Sequence, residues 1–404
     1  MKNFIVRGTP YFPQELKNIN KYKKLDNDIN VDVVVVGGGI TGALCSYYFN
    51  KEGISVALVE KENVATGSTS ISTSLLQYEL DEQIADLEKN SDLPTILKAY
   101  KFSEKGLKEL TALIKEANID CNFKKHDCLL YTDDKNKSDI LQYEYEQRKH
   151  EGFNVKFLDK NTLKDFKFSF PIESGIYSYN GGAEFNPVKF THNLIKYLNN
   201  KDVPIYENTE IIDYSHFDDY VILNTSNNQS ITCKKVIVAT GYDISLFTSK
   251  KFATMYTSYN IVTTPVDKIN GWNNNCLIKT CENPYTYLRR TLDNRIIIGG
   301  EDTRFIPEFL ESSVAEMQYK KLKDKLYSMF PDISFDIDYK YNGTFASTSD
   351  NLPFIGPDIK NKNIWYCLGY GANGTLFSVN GAKMLSKLYK GEVSEDLSLT
   401  SLDR

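Results

Sequence analysis

The stretch Val33-Val-Val-Val-Gly37-Gly-Gly39-Ile-Thr-Gly42 constrains this chain more than any other. Four consecutive valines read as a buried parallel strand, because a strand covered on both faces needs apolar side chains at every position. Gly37, Gly39 and Gly42 then make a G-x-G-x-x-G turn. The first glycine permits the tight bend, the second lets backbone approach a pyrophosphate, and the third lets the next helix pack against the strand. That helix aims unpaired N–H groups and the positive end of its dipole at the phosphates. Ala43, Leu44, Tyr47 and Tyr48 supply its apolar stripe, with Gly53 placed as its C-terminal cap. Ile54-Ser-Val-Ala-Leu-Val59 reads as a second buried strand, ended by Glu60 at the spacing where an acid takes ribose hydroxyls. A carboxylate there disfavours a 2′-phosphate, which points to FAD or NAD(H) over NADP(H). The order of strand, turn, helix, strand and acid separates this reading from a glycine-rich turn in any other α/β protein.

A chain of 404 residues is long enough for two domains, and 41% apolar residues can build a large core. The formal net charge of −5 comes with no basic stripe, so nucleic acid is not an expected partner. The segment Met1-Lys-Asn-Phe-Ile-Val-Arg-Gly-Thr-Pro10 lacks the apolar centre of a signal peptide. No run approaches the ~18 apolar residues that cross a bilayer. A soluble, cytoplasmic protein is the expectation. The seven cysteines are scattered without a Cys-x-x-Cys pair, as expected of reduced, buried thiols. The four histidines show no metal spacing, so neither a metal site nor a Cys/His nucleophile is expected.

Residues 1–30 are polar and lysine-rich and read as a surface arm. A hydroxyl-rich loop, Ala65-Thr-Gly-Ser-Thr-Ser-Ile-Ser-Thr-Ser74, follows Glu60. Helices are predicted from Ser91 through Leu113, over 133–150 with a solvated charged face, over Pro187–Leu198 and over Thr375–Lys390. Strands are predicted at Cys128–Tyr131, Val203–Tyr206, Thr209–Ile212, Tyr220–Leu223 and Val236–Ala239, and strand signals dominate from about 255 to 345. The buried α/β strands are dispersed, which predicts a discontinuous nucleotide domain (31–80, 180–250 and 346–391). A sheet-based substrate domain (81–179 and 251–345) is inserted into it twice.

A second glycine cluster lies near the end. Trp365-Tyr-Cys-Leu-Gly369-Tyr-Gly371-Ala-Asn373-Gly374-Thr runs straight into the last helix. A strand, a glycine turn and a helix N-terminus make another anion cradle. A nicotinamide dehydrogenase needs one such cradle, whereas a flavin enzyme uses two. The second, aimed at the flavin N1–C2=O edge, stabilises the charge that builds there on reduction.

Taken together, these motifs resemble the FAD-dependent oxidoreductases of the D-amino-acid oxidase and glycine oxidase family. The resemblance runs from about residue 31 to 391. It is carried by Val36-Gly-Gly-Gly-Ile-Thr-Gly42, Glu60, the Gly67-Ser-Thr-Ser loop, Val236-Ile-Val-Ala-Thr-Gly241, Tyr287 with Arg295-Ile-Ile-Ile-Gly-Gly300, Thr348-Ser-Asp-Asn-Leu-Pro-Phe-Ile-Gly356 and Gly369-Tyr-Gly-Ala-Asn-Gly374. It implies a Rossmann-like FAD domain and an antiparallel-sheet substrate domain with the flavin between them. It also implies positions. Gly37, Gly39, Ile40, Thr41 and Gly42 would hold the pyrophosphate, and Glu60 the ribose. Lys61, Gly67, Ser68 and Thr69 would lie along the adenosine and phosphates, Ile211 would offer backbone to the adenine, and Thr240-Gly241 would pass close by. Gly371, Asn373, Gly374 and Thr375 would line the pyrimidine edge, with Ser72, Thr73 and Ser74 reaching the opposite side of the ring.

The implied reaction is oxidation of a C–N bond to an imine by hydride transfer to flavin N5, which rests on proximity and orientation more than on acid–base side chains. The departures bear on the substrate. The family's glycine and D-amino-acid oxidases clamp the substrate carboxylate with an arginine where this chain has Phe345. The basic residues used by the sarcosine-oxidase branch fall nearest Gln77 and Leu376. Arg289 or Arg290 could supply the missing charge-assisted clamp from the sheet. Glu79, Asp81 and Glu82 read as a solvated acidic turn, or as one favouring a cationic amine. The position of that branch's flavin-linking cysteine is about Gly343, so non-covalent FAD is expected. No lysine stands at its oxygen-activating position, where Ile296–Ile298 lie, so either O2 or another acceptor is open. Tyr287 and Tyr259 are the expected pocket walls. The reading is an FAD-dependent oxidoreductase of an amine or amino-acid-like substrate. The alternatives are a flavin dehydrogenase with a non-O2 acceptor, a non-catalytic flavin-binding module, or an NAD-dependent dehydrogenase.

Overall fold

The two valine-rich segments lie side by side at the centre of an eight-stranded sheet. The structure, a computed structural model, describes residues 6–310, 312–371 and 373–404. The order across the main path of this sheet is Phe354–Pro357, Ile364–Leu368, Ser230–Val238, Ile29–Val36, Val56–Val59 and Ile205–Tyr206. Ser230–Val238 runs parallel to both Ile29–Val36 and Ile364–Leu368. In register, Val36, Val59, Val238 and Tyr366 stand at one level. Successive side chains alternate between the faces. Val33 and Val35 join a core with Leu44 and Phe377, whereas Val34 and Val36 join another with Val221 and Leu223. The first face is covered by the helices Ile40–Lys51 and Gly374–Tyr389, and Leu93–Glu116 packs on Gly374–Tyr389 from outside. Leu93–Glu116 crosses Gly374–Tyr389 at Gly106, where a Cβ would come within 2.4 Å of the Leu376 carbonyl oxygen.

The second sheet has ten strands. Its main path runs Val6–Gly8, Ile337–Ser347, Thr254–Thr263, Ile296–Arg304, Thr286–Arg290, Leu277–Thr280, Lys124–Thr132, Ser174–Glu184 and Leu75–Gln77, with Val155–Leu158 pairing Ser174–Glu184. Every pair is antiparallel except Leu277–Thr280 with Lys124–Thr132, which is parallel. The strand Leu75–Gln77 carries the chain directly from the nucleotide motif into this sheet. No described helix is long and apolar enough to cross a membrane. All seven cysteines are free and buried, and the described residues hold no group of His, Cys, Asp and Glu able to bind a metal.

Three local readings need correction. The first 30 residues are no mere surface arm: among those described, Val6–Gly8 pairs with Tyr341–Gly343, and Tyr11, Phe12 and Leu25 are buried. The region from 255 to 345 contains the helix Ser313–Met329, which covers the back of the second sheet through Tyr319, Leu322 and Leu326. The helix Ser138–His150 is not charged only toward solvent. Its Glu144 and Arg148 are fully buried.

That buried pair is part of a closed network. Arg148 Nη1 donates to Glu79 Oε1 at 2.7 Å and Nε to Glu144 Oε1 at 2.7 Å. Glu144 also accepts from the Tyr100 hydroxyl at 2.7 Å and from the Ile84 N–H at 2.6 Å. The rings of Tyr100 and Tyr78 lie 5.3 and 5.8 Å from the guanidinium. Removing the cation leaves two carboxylates buried without a counter-charge, a loss of about 3–5 kcal/mol. Arg148→Met is therefore expected to lower the stability read from urea unfolding by that amount. A loss below about 1 kcal/mol would show that the network is dispensable.

Candidate active site

Because the three central parallel strands end at one level, their C-terminal turns open onto the same edge, where open α/β sheets bind ligands. The structure has a cavity of about 530 Å³ there, walled by both sheets. Gly37 is bent back at φ +114°, and its N–H donates to the Val59 carbonyl oxygen at 2.8 Å. A Cβ on Gly37 would lie 2.4 Å from the Ala239 carbonyl oxygen. Gly42 faces the turn from the helix, and its Cβ would lie 1.8 Å from the Gly37 carbonyl oxygen. Gly42 thus serves close packing and does not line the cavity, while Gly37, Gly39, Ile40 and Thr41 do.

Glu60 closes one end. Its Oε2 accepts from the Gly38 N–H at 2.6 Å and its Oε1 from the Glu62 N–H at 2.8 Å. Burial raises its pKa, and these two N–H groups oppose the rise. The carboxylate is held rigidly with lone pairs left for further hydroxyls. Beside it Lys61 pairs with Asp243 at 2.8 Å. Gly67, Ser68 and Thr69 line the same stretch, and Thr69 Oγ1 accepts from the Ile40 N–H at 3.0 Å. Thr240 and Gly241 line it from the central strand, with Thr240 Oγ1 buried and unpartnered among the described residues. Ile211 does not reach the cavity. Its side chain fills the core under the edge hairpin with Val221 and Leu223, and the expectation for it concerned its backbone alone.

The C-terminal cluster is fastened to every neighbouring segment. The Gly371 N–H donates to the Ala346 carbonyl oxygen at 2.7 Å, and Asn373 Nδ2 to the Glu79 carbonyl oxygen at 2.6 Å. Gly369 and Gly374 approach so closely that a Cβ on either would lie within 2.5 Å of the other's carbonyl oxygen. Gly371, Asn373, Gly374 and Thr375 all line the cavity. Thr41 Oγ1 and Ser378 Oγ hydrogen-bond at 2.8 Å, joining the two helices that start at the two glycine turns.

The other end is a chamber between the sheets. Ser72, Thr73, Ser74, Gln77, Tyr287 and Phe345 line it. Ser74 takes φ +54°, and its Oγ and Gln77 Nε2 are buried without partners among the described residues. The Tyr287 hydroxyl bonds Asn260 Oδ1 and Ser258 Oγ, each at 3.1 Å. Gly299 makes room for this, since a Cβ there would lie 2.1 Å from Asn260 Oδ1 and 2.6 Å from the Tyr287 ring.

Tyr259 is not a wall. On its strand Ser258 and Asn260 face the chamber, so Tyr259 faces the opposite way, against Tyr319 and with its hydroxyl 3.0 Å from Thr303 Oγ1. Arg289 is no substrate clamp either. It lies beyond the chamber, where Nη1 donates to the carbonyl oxygens of Ser74 at 2.9 Å and Phe185 at 3.2 Å. It anchors the loop that carries Ser74. Arg290 binds the Val266 carbonyl oxygen and Asn294.

The acidic turn is also different from a solvated one. Glu79 is buried against Arg148 with Oε2 unpartnered among the described residues, Asp81 lines the cavity, and only Glu82 is exposed. Sequence reasoning missed Lys279, Tyr285 and Asp302, which also line the chamber. The single local signal was Gly299-Gly300, which marks a strand that bends around a neighbour.

The comparisons agree with this geometry. The family model "FAD dependent oxidoreductase" matches residues 32–388. The chain is 24% identical over 375 residues to a putative Rieske 2Fe-2S iron-sulfur protein of Bacillus subtilis, covering 92% of this chain and 71% of that protein. It is 22% identical over 391 residues to the gamma-glutamylputrescine oxidoreductase of Escherichia coli, covering 95% and 89% of the two chains. Its fold matches that of glycine oxidase from Geobacillus kaustophilus with a TM-score of 0.78 and 19% identity, over 93% of this chain and 99% of that one. With its Rossmann-like nucleotide fold beside a second sheet, this chain belongs to the family of FAD-dependent oxidoreductases.

Proposed function

We propose that the protein oxidises a C–N bond of a small amine or amino-acid-like substrate to an imine, which water hydrolyses. This reading is supported above all by one continuous cavity that joins the Glu60 carboxylate, two helix N-termini and an aromatic chamber. FAD, when bound, supplies the hydride acceptor, its N5. The residues present suit it. Glu60 would take the ribose hydroxyls, Gly37, Gly39, Ile40 and Thr41 the pyrophosphate, and Gly371 to Thr375 the pyrimidine edge. The unpartnered Thr240 Oγ1, Ser74 Oγ and Gln77 Nε2 are polar atoms that a flavin nucleotide can satisfy. Tyr287, Phe345 and the Asn260–Ser258 pair would hold substrate against the ring and exclude water. Lys61 and Gly67 to Thr69 would flank the adenosine and phosphates, and Ser72 to Ser74 the ring's other side.

Non-covalent attachment is supported by Gly343, which lines the chamber where a linking cysteine would stand. The same reading divides the chain into FAD-binding segments 31–80, 180–250 and 346–391 and substrate segments 81–179 and 251–345. It places the protein in the cytoplasm, where buried free thiols stay reduced. Relatives carry names such as glycine oxidase, gamma-glutamylputrescine oxidoreductase and L-amino acid deaminase, which favours amine or amino-acid chemistry here.

Anaerobic mixing of the flavin-loaded protein with amines, amino acids and N-methyl amino acids is expected to bleach the flavin with at least one class. Reoxidation with O2 or with a dye then distinguishes an oxidase from a dehydrogenase. Bound FAD that none of them bleaches would establish the non-catalytic alternative instead. For the cofactor, Glu60→Leu removes an ionic acceptor whose hydrogen bonds are each worth about 1.5–3 kcal/mol. Its FAD dissociation constant, measured by fluorescence titration, is expected to rise at least about tenfold. An unchanged constant would remove Glu60 from the ribose site.

A further inference from the structure

Building on the reading of an amine substrate, we propose that the Asp302 carboxylate is the subsite for the substrate's ammonium group. The chamber on this account prefers amines without an α-carboxylate to amino acids. Asp302 lies just past Gly299-Gly300, with Glu301 at φ +53°. Register with the neighbouring strand shifts between Thr257 and Tyr259. This bulge re-aims the strand, so that Asp302 lines the chamber while Thr303 reaches Tyr259 on the other side. Asp302 Oδ1 is buried and has no hydrogen-bond partner among the described residues. Ser258 and Tyr285 hydrogen-bond the carboxylate, and Oδ1 is left to accept from a bound ligand.

The cations around the cavity point the same way. Among the described residues only Lys61 and Lys279 line it, and no arginine does. Lys61 is paired with Asp243 at the far, Glu60 end. Lys279 Nζ donates to the carbonyl oxygens of Leu80 at 3.0 Å and Asp81 at 2.9 Å, lies 3.6 Å from the Asp81 carboxylate, and sits over the Tyr285 ring at 4.7 Å. A substrate carboxylate therefore meets no free fork of donors. An ammonium meets the unpartnered Asp302 Oδ1 near the Tyr287 ring, whose face attracts cations, while the neighbouring Tyr285 ring already carries Lys279.

The groups facing Asp302 are Ser258 from one adjacent strand, Tyr287 from the other with Tyr285 just before it, and Lys279 and Asp81 across the chamber. Burial pushes the carboxyl up to about 7 and Asp81 adds to the rise, while Ser258, Tyr285 and Lys279 oppose it. The ionised form binds the cation, so affinity grows as pH rises through about 7 and levels off above it.

tert-Butylamine tests this without turnover. It has no hydrogen on the carbon bearing nitrogen, so no imine can form, and like any aliphatic amine it stays protonated near neutrality. Pivalate is its carboxylate counterpart of matching shape. Calorimetric titration of the FAD-loaded protein is expected to show the tert-butylammonium dissociation constant falling about tenfold from pH 6 to pH 8, with pivalate binding more weakly at pH 8. Asp302→Asn, checked for retained flavin absorbance, is expected to flatten that pH dependence and weaken binding at least tenfold at pH 8. A flat profile in the parent protein, tighter binding of pivalate, or a flavin-loaded Asp302→Asn that binds like the parent would each overturn the proposal. The readout is independent of flavin bleaching, so failure of this subsite and failure of the amine-oxidation reading are separate results.

Discussion

The parallel pairing of Ser230–Val238 with two strands at once is the constraint on which the rest depends. One partner comes from near the N-terminus and the other from near the C-terminus. Because all three run the same way and stop at the same level, two glycine turns more than three hundred residues apart open side by side. The helices that leave those turns pack together and are tied by the Thr41–Ser378 bond. Each glycine turn is held by contacts that only a missing Cβ allows: Gly42 against Gly37, and Gly374 against Gly369. The backbone geometry of the nucleotide cavity is thus held by close packing.

What the sequence made legible is what is local. The valine run, the glycine spacing, Glu60 and the final glycine cluster each express a turn or strand within about ten residues, and the structure brings them to one cavity. Tyr287 and Phe345 were reached through family resemblance, and they too line it. Tyr259 misled because facing is set by strand parity: it alternates with Ser258 and Asn260, and which of the two sets faces the chamber is decided by how its strand pairs with distant ones. Arg289 misled for another reason. A buried arginine can serve the backbone, and here it holds the Ser74 and Phe185 carbonyls. Lys279, Asp81 and Asp302 come from three distant segments, so no spacing rule joins them. The helix Ser313–Met329 is apolar on one face only, and its signal was lost among strongly strand-like neighbours.

The charges show how the chamber differs from its surroundings. Around it acids are paired with cations of the protein itself: Glu79 with Arg148, Asp243 with Lys61, and Glu184 with Arg289. The Arg148 network also fixes the segment from Gln77 to Ile84, which forms one chamber wall. Against that background Asp302, which lines the cavity with Oδ1 unpartnered and forms no ion pair among the described residues, marks where a ligand's charge belongs. Desolvation makes such a group costly in an empty chamber and selective in a filled one.

The most direct test of the account is an experimental density map of the protein purified with its flavin. One FAD is expected, with its ribose at Glu60 and its pyrophosphate over Gly37 to Thr41. The pyrimidine edge of its ring should lie beside Gly371 to Thr375. A nucleotide held at Glu60 with its ring directed away from the C-terminal glycine turn, or the two turns facing separate cavities, would contradict it.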